Sequence, residues 1–226
     1  MKPAQCVPHD VAEIRKKIQE FLDIPTAAGS KIGNARFGVY AFFDYDGEPI
    51  YVGQTCEMLR TRIRRHLTNQ RTDAVAMNVL DPFEVAEIEV WPLPALEGKN
   101  TKDLEAISVL NATEYTVYQS VLKNSTFQAV LNEKDITPTK EIALPPSYRR
   151  CIIPDGLYAI RKHADIRIAR RASTIANLAR VISEREVSKG LRRTLVTQAR
   201  RLEKLASDRC NEIEGEMPVL QFGEEE

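Results

Sequence analysis

Two apolar, aromatic runs flank the dipeptide Asp46-Gly47, residues 37–45 before it and 50–54 after it. An Asp-Gly pair between such runs is the strongest short hairpin signal a sequence offers, and it predicts two antiparallel strands. With a two-residue turn Tyr45 pairs with Glu48, which sets Gly53 opposite Tyr40 and Tyr51 opposite Phe42. Tyr40 and Tyr51 then share one face as diagonal neighbours roughly 7 Å apart. Pro49 cannot donate to a ladder, so a longer loop stays open. With either loop, a glycine beside a tyrosine leaves a notch where a ligand's backbone can approach.

A helix follows, opening near Cys56-Glu57, with Leu59, Ile63 and Leu67 as a narrow apolar stripe. Arg62 and His66, four residues apart, form a second stripe beside it, at the edge of the packed face and near the hairpin. Arg60, Arg64 and Arg65 point elsewhere, to solvent or a polyanion. Residues 83–91 alternate as a third strand with one charged face, and the alternation slips once at Ala86–Ile88, as a bulge would make it do. Asp103 opens a long helix to about Lys123, with Leu104, Ile107, Leu110, Val117 and Val121 as its apolar stripe. Glu114 falls inside that stripe. A carboxylate on an inward helix face costs several kcal/mol unless it is paired, neutralised or bound to a metal. A salt bridge to an arginine of the preceding helix and a metal ligand are both open readings. Residues 127–131 form a short apolar run that ends at Asn132, by itself a turn residue.

The succession Gly38-Val39-Tyr40, Tyr51-Val52-Gly53 and then LRTRIRRH at residues 59–66 resembles the GIY-YIG nuclease family, with Val in place of Ile in both tripeptides. The resemblance covers roughly residues 37–132. It implies an α+β fold: a small three-stranded antiparallel sheet flanked by helices. It also implies a Mg²⁺-dependent DNA endonuclease, with Mn²⁺ as a substitute metal and the choice between DNA and RNA left open. In that family a glutamate on the helix after the third strand binds the metal, which matches Glu114, and the pattern closes with an asparagine, which Asn132 resembles. Glu105 is the weaker candidate for the acid. The chemistry such a site needs is an activated water, cationic support for phosphate charge and stabilisation of the departing alkoxide. Tyr40 would be the general base, and its phenol, ordinarily near pKa 10, would need nearby cations to serve. Arg62 would supply that cation and a planar fork for phosphate, unless it is the salt-bridge partner of Glu114. Tyr51 would orient water or a phosphate oxygen, and His66 would contact phosphate or hold Tyr40. A catalytically idle member of the same fold, binding nucleic acid or a partner protein, is the alternative.

The rest of the chain frames this stretch. With 226 residues at 43% hydrophobic composition, one compact domain plus accessory elements can be buried. No apolar run approaches a membrane span and no secretion signal opens the chain, so a soluble cytoplasmic protein without membrane contact is expected. The four cysteines are widely separated and suggest neither zinc nor disulfides. Asp10 is read as the cap of a helical lead-in over 1–35. The nuclease-like domain spans 36–146 and ends in a proline-rich stretch. An all-α helical hairpin occupies 147–210 and an acidic flexible tail 211–226. The formal charge is zero overall, yet residues 160–204 hold thirteen Lys and Arg against four Asp and Glu. Such asymmetry predicts one basic binding face. Arg167, Arg170, Arg171, Arg180, Arg192, Arg193, Arg200 and Arg201 are expected on the hairpin's solvent side, to grip phosphates or to border a homodimer contact.

Overall fold

The computed structural model describes residues 8–27, 29–68, 80–132 and 134–216. Cys6 and the acidic end of the tail lie outside these residues. The hairpin forms as β1 (Gly38–Phe43) and β2 (Pro49–Thr55), antiparallel, with Tyr40 opposite Gly53 and Phe42 opposite Tyr51. Its turn is longer than two residues. The Gly47 amide, at φ 77°, donates to the Asp44 carbonyl at 3.1 Å, and the Asp44 amide donates to the Glu48 carbonyl at 3.0 Å. Phe43 then faces Pro49, so the pairing slips between Phe42 and Phe43. The irregularity accommodates the proline next to the turn and leaves the tyrosine register unchanged.

The sheet has four strands, not the expected three, in the order β2-β1-β3-β4, all neighbours antiparallel. β3 (Glu87–Pro92) starts later than the alternation implied. Phe83 belongs to a 3-10 turn capped by the Asp81 carboxylate, and the slip at Ala86–Ile88 marks the entry to the strand. β4 (Tyr148–Cys151) is the added edge strand. Its four residues include two arginines and carry no hydrophobic alternation. Pairing with β3 defines it, and Arg149 bonds Glu87 on the charged face at 2.6 Å. The expected boundary at 146 therefore falls between strands of one sheet.

β1 is buried on both faces, which explains its unbroken apolar run. Tyr40, Phe42, Tyr51, Ile88 and Val90 pack against Ile18, Phe21 and Leu22 of α1 (His9–Leu22) and Leu59 and Ile63 of α2 (Leu59–Thr68). Val39, Ala41, Val52 and Trp91 pack against Ala106, Leu110, Val117 and Val121 of α3 (Leu104–Lys123). Asp103 caps α3 as expected, its carboxylate accepting from the amides of Glu105 and Ala106. Leu104, by contrast, is 84% exposed, because the buried stripe starts at Ala106. Pro8, not Asp10, occupies the cap of α1, and Asp10 sits in its first turn.

The C-terminal part comprises α4 (Asp155–Lys162), α5 (Ala164–Glu184) and α6 (Lys189–Glu216), with α5 and α6 packed on each other. α6 continues through 211–216, part of the expected tail. Leu178, Val181 and Leu191 join the same apolar core as α1 and α2. Among the described residues no helix is long and apolar enough to cross a membrane.

The expectation that the C-terminal arginines face solvent fails for half of the set. Arg167, Arg171 and Arg201 are buried and Arg170 is largely so. Arg167 forks onto Asp46 at 2.7 and 2.9 Å, and Arg171 holds Asp44 at 2.7 Å. Arg170 holds Glu84 at 2.7 Å, and Arg201 donates to the carbonyls of Pro49 and Ala129 at 3.0 Å, with Glu48 at 3.6 Å. The reason is electrostatic. Asp44, Asp46, Glu48 and Glu84 crowd the hairpin turn, and each must be compensated when α5 and α6 cover it. Arg180, Arg192, Arg193 and Arg200 are exposed.

Candidate active site

The site lies on the hairpin's α2 face, at the β2 end. Register brings Tyr40 and Tyr51 together with ring centroids 6.2 Å apart, and His66 closes the cluster at 5.6 Å from Tyr40 and 5.2 Å from Tyr51. The notch at Gly53 is filled from within. A Cβ there would fall 2.6 Å from the Tyr40 hydroxyl and 2.8 Å from the Tyr51 ring, so glycine is required for the phenols rather than for a ligand's backbone.

Tyr40 is wholly buried, and its hydroxyl bonds His66 Nε2 at 2.8 Å. Arg62 Nε donates to the same oxygen at 3.2 Å. His66 is also buried, not a surface residue of α2, because its stripe turns under the sheet. Burial, reinforced by Arg62 and Arg65, pushes its imidazole down to about 3, so it is neutral near pH 7. A neutral, buried ring serves to hold Tyr40 and cannot meet phosphate as a cation. Burial alone would depress the Arg62 guanidinium, but attraction to the phenol oxygens of Tyr40 and Tyr51 outweighs it and holds the group above its ordinary range.

Glu114 approaches from α3 at the edge of β2. Burial pushes its carboxyl up to about 7, while Arg62 and the backbone N–H of Gln54 pull it part of the way back. Among the described residues no ion pair joins Arg62 to Glu114, so the salt-bridge reading of both residues is not realised. Arg62 instead spends its Nε on Tyr40 while its charge reaches Glu114, which makes it the hub between phenols and acid. Glu105, nine residues earlier and so about 13 Å along the helix axis, is exposed and bonded to Lys99 at 3.0 Å.

Asn132 engages the backbone of β2 at Val52. Its side chain accepts from the Val52 amide at 3.1 Å and donates to the Val52 carbonyl at 2.7 Å. Together with the Leu131 amide on the Ile50 carbonyl at 2.9 Å, it continues the sheet along the edge of β2. The nearby basic residues are engaged within the fold. Arg60 bonds Asp23 and Asn34, both at 2.9 Å, Arg65 pairs with Glu57 at 2.8 Å, and Arg64 bonds Gln19. The acidic turn that anchors the arginines of α5 and α6 went unread in the sequence, although Asp44, Asp46 and Glu48 stand at alternate positions around the hairpin.

One half-buried carboxylate, lifted to a pKa near 7, suits a hard dication that takes one or two carboxylates and keeps most of its waters. Among the described residues no three His, Cys, Asp or Glu side chains gather in one place, so no closed protein cage for a metal is formed.

Residues 36–96 match the family model described as the GIY-YIG catalytic domain, which covers both tyrosine strands, α2 and β3. No match is found among curated proteins or among solved structures. The matched stretch holds Tyr40, Tyr51, Arg62 and His66 and makes this part of the chain similar to the catalytic domain of a nuclease family, while Glu114 and Asn132 lie beyond it.

Proposed function

We propose that the protein is a Mg²⁺-dependent DNA endonuclease, with Tyr40, Tyr51, Arg62, His66 and Glu114 as its working set. The observation that carries this reading is the position of Arg62, bonded to the Tyr40 hydroxyl and within electrostatic reach of Glu114. Phosphodiester hydrolysis needs a base, an anion clamp and a metal-binding acid around one phosphate, and Arg62 links the candidates for all three. Tyr40, as a phenolate flanked by Arg62 and His66, takes the proton of the attacking water. The Nη edge of Arg62 is left for the phosphate, a planar fork suited to two of its oxygens. Tyr51 orients the water or a phosphate oxygen. Asn132 acts as a positioning residue through Val52. When bound at Glu114, Mg²⁺ supplies positive charge for the phosphate oxygens and the departing alkoxide.

A second reading, an idle GIY-YIG fold that binds nucleic acid, is favoured by one observation: Tyr40 has no exposed surface. Catalysis then requires that a bound phosphate draw the head of Arg62 outward and open the phenol to water. Plasmid DNA incubated with Mg²⁺ beside a Glu114→Ala variant separates the two. Nicking or linearisation by the parent chain alone is expected, and intact plasmid throughout would leave the idle fold standing. A chain that cuts only RNA would move the substrate.

A further inference from the structure

Once the buried arginines are accounted for, three of the four exposed ones on α5 and α6 lie together. Arg192, Arg193 and Arg200 line a groove between α6 and the loop at 127–129, with Phe127, Gln128 and Val196 as further walls. Arg192, Val196 and Arg200 follow one another at four-residue steps, so they stand on one face of the helix with the two cations about 12 Å apart. Val196 between them is 53% exposed. The opposite wall is built, not slack. Glu48 accepts from the Ser125 hydroxyl at 2.7 Å and from the Thr126 amide at 2.8 Å, and the Ser125 oxygen accepts from the Phe127 and Ala129 amides at 3.2 and 3.4 Å. These bonds hold Gln128 at φ 48°, a left-handed conformation that a residue other than glycine keeps only when its surroundings impose it. The Arg201 guanidinium lies 5.4 Å from the centre of the Phe127 ring.

The groove adjoins the candidate active site through the edge of β2. The Thr194 hydroxyl on α6 reaches the Asn132 carbonyl at 3.5 Å, and Asn132 is clamped to Val52, next to Gly53 and the phenols. On α3, Tyr118 feels the charge of Arg193 and lies one turn beyond Glu114.

We infer that this groove binds an unpaired stretch of nucleic acid leading into the nuclease site, with phosphates on Arg192 and Arg200 and a base against Phe127 and Val196. The inference rests on the nuclease reading for its substrate. Duplex phosphates ask only for cations, whereas cations spaced along an aromatic and aliphatic floor match the needs of a single strand, whose bases present bare faces. Asp135, paired with Arg193, marks the end of the basic track.

Equilibrium binding of labelled oligothymidylate to the full chain in EDTA tests this without cleavage. Blunt duplex and a polyglutamate competitor are run in parallel. Single strands are expected to bind more tightly than duplex. The Arg192→Ala/Arg200→Ala double variant should lose tenfold or more, with the slope of log K against log salt shallower by about 1.4. Phe127→Ala should lose about fivefold or more while Phe127→Trp restores binding, and Arg180→Ala should change nothing. Parent-like binding by both groove variants, equal affinity for duplex, or displacement by polyglutamate as effective as by cold oligothymidylate would overturn the inference. The two readings fail separately: a chain that cuts plasmid but shows any of those results loses the groove and keeps the nuclease. Tight single-strand binding without cleavage does the reverse.

Discussion

At the scale of single residues, Glu114 and His66 show how burial sets chemistry. Both are drawn toward the neutral form, and in opposite pH windows. His66, depressed from 6.5 to about 3, leaves the unfolded chain binding the extra proton, so its contribution to stability is lost as pH falls through that interval. Glu114, raised from 4.5 to about 7, lets the folded chain hold the proton, so its contribution is lost as pH rises from 4.5 to 7. If Glu114 is the metal ligand, Mg²⁺ must displace that proton. Apparent Mg²⁺ affinity, read by titration calorimetry, should therefore be about tenfold weaker at pH 6 than at pH 8. Glu114→Gln should abolish both the binding and its pH dependence, and a flat profile in the parent chain would separate the carboxylate from the metal.

At the scale of elements, the edge of β2 is where the site is held. The strand pairs with β1 on one side, while the Leu131 amide and both polar atoms of the Asn132 side chain serve its other side. Asn132→Ala removes two hydrogen bonds and leaves the Val52 amide and carbonyl to find other partners. The expected cost is about 1–3 kcal/mol of unfolding free energy by urea titration. Asn132→Asp keeps the acceptor and loses the donor, so it should fall between the two. A fully parent-like melting profile for both would show that the edge is secured elsewhere. This segment was half legible in the sequence: the apolar run and its closing asparagine could be seen, but not that the asparagine's partners are backbone atoms 80 residues away.

At the scale of the whole molecule, part of the basic charge of residues 160–204 is spent inside the protein, on Arg167, Arg170, Arg171 and Arg201. Three arginines of α5, together with Arg201 of α6, face four carboxylates at the hairpin turn, and this network joins the C-terminal helices to the strands that carry the phenols. Such networks orient elements more than they stabilise them, yet removing one partner is costly because a buried charge is stranded. Arg171→Met should cost about 3–5 kcal/mol at pH 8. Burial already raises the Asp44 carboxyl in spite of Arg171, Arg201 and Arg167, and losing Arg171 raises it further. The folded variant then takes up a proton more readily than the unfolded chain, so its deficit should shrink as pH is lowered from 8 to 5. Chemical denaturation at the two pH values measures this, and a pH-independent deficit would mean that Asp44 is not the stranded group.

The sequence by itself determined the hairpin, the register that pairs Tyr40 with Gly53, the cap and length of α3 and the inward position of Glu114. Each follows from local rules: turn chemistry, a period of two or of about four, and a capping carboxylate. Only the tertiary structure decided that β4 completes the sheet, that His66 is buried and neutral, and that Arg167, Arg171 and Arg201 face inward while Arg192 and Arg200 face a groove. A charged side chain carries no mark of its own burial. Which arginine is desolvated depends on where the compensating carboxylates come to rest, and three of these, Asp44, Asp46 and Glu48, come from a turn more than 120 residues earlier in the chain.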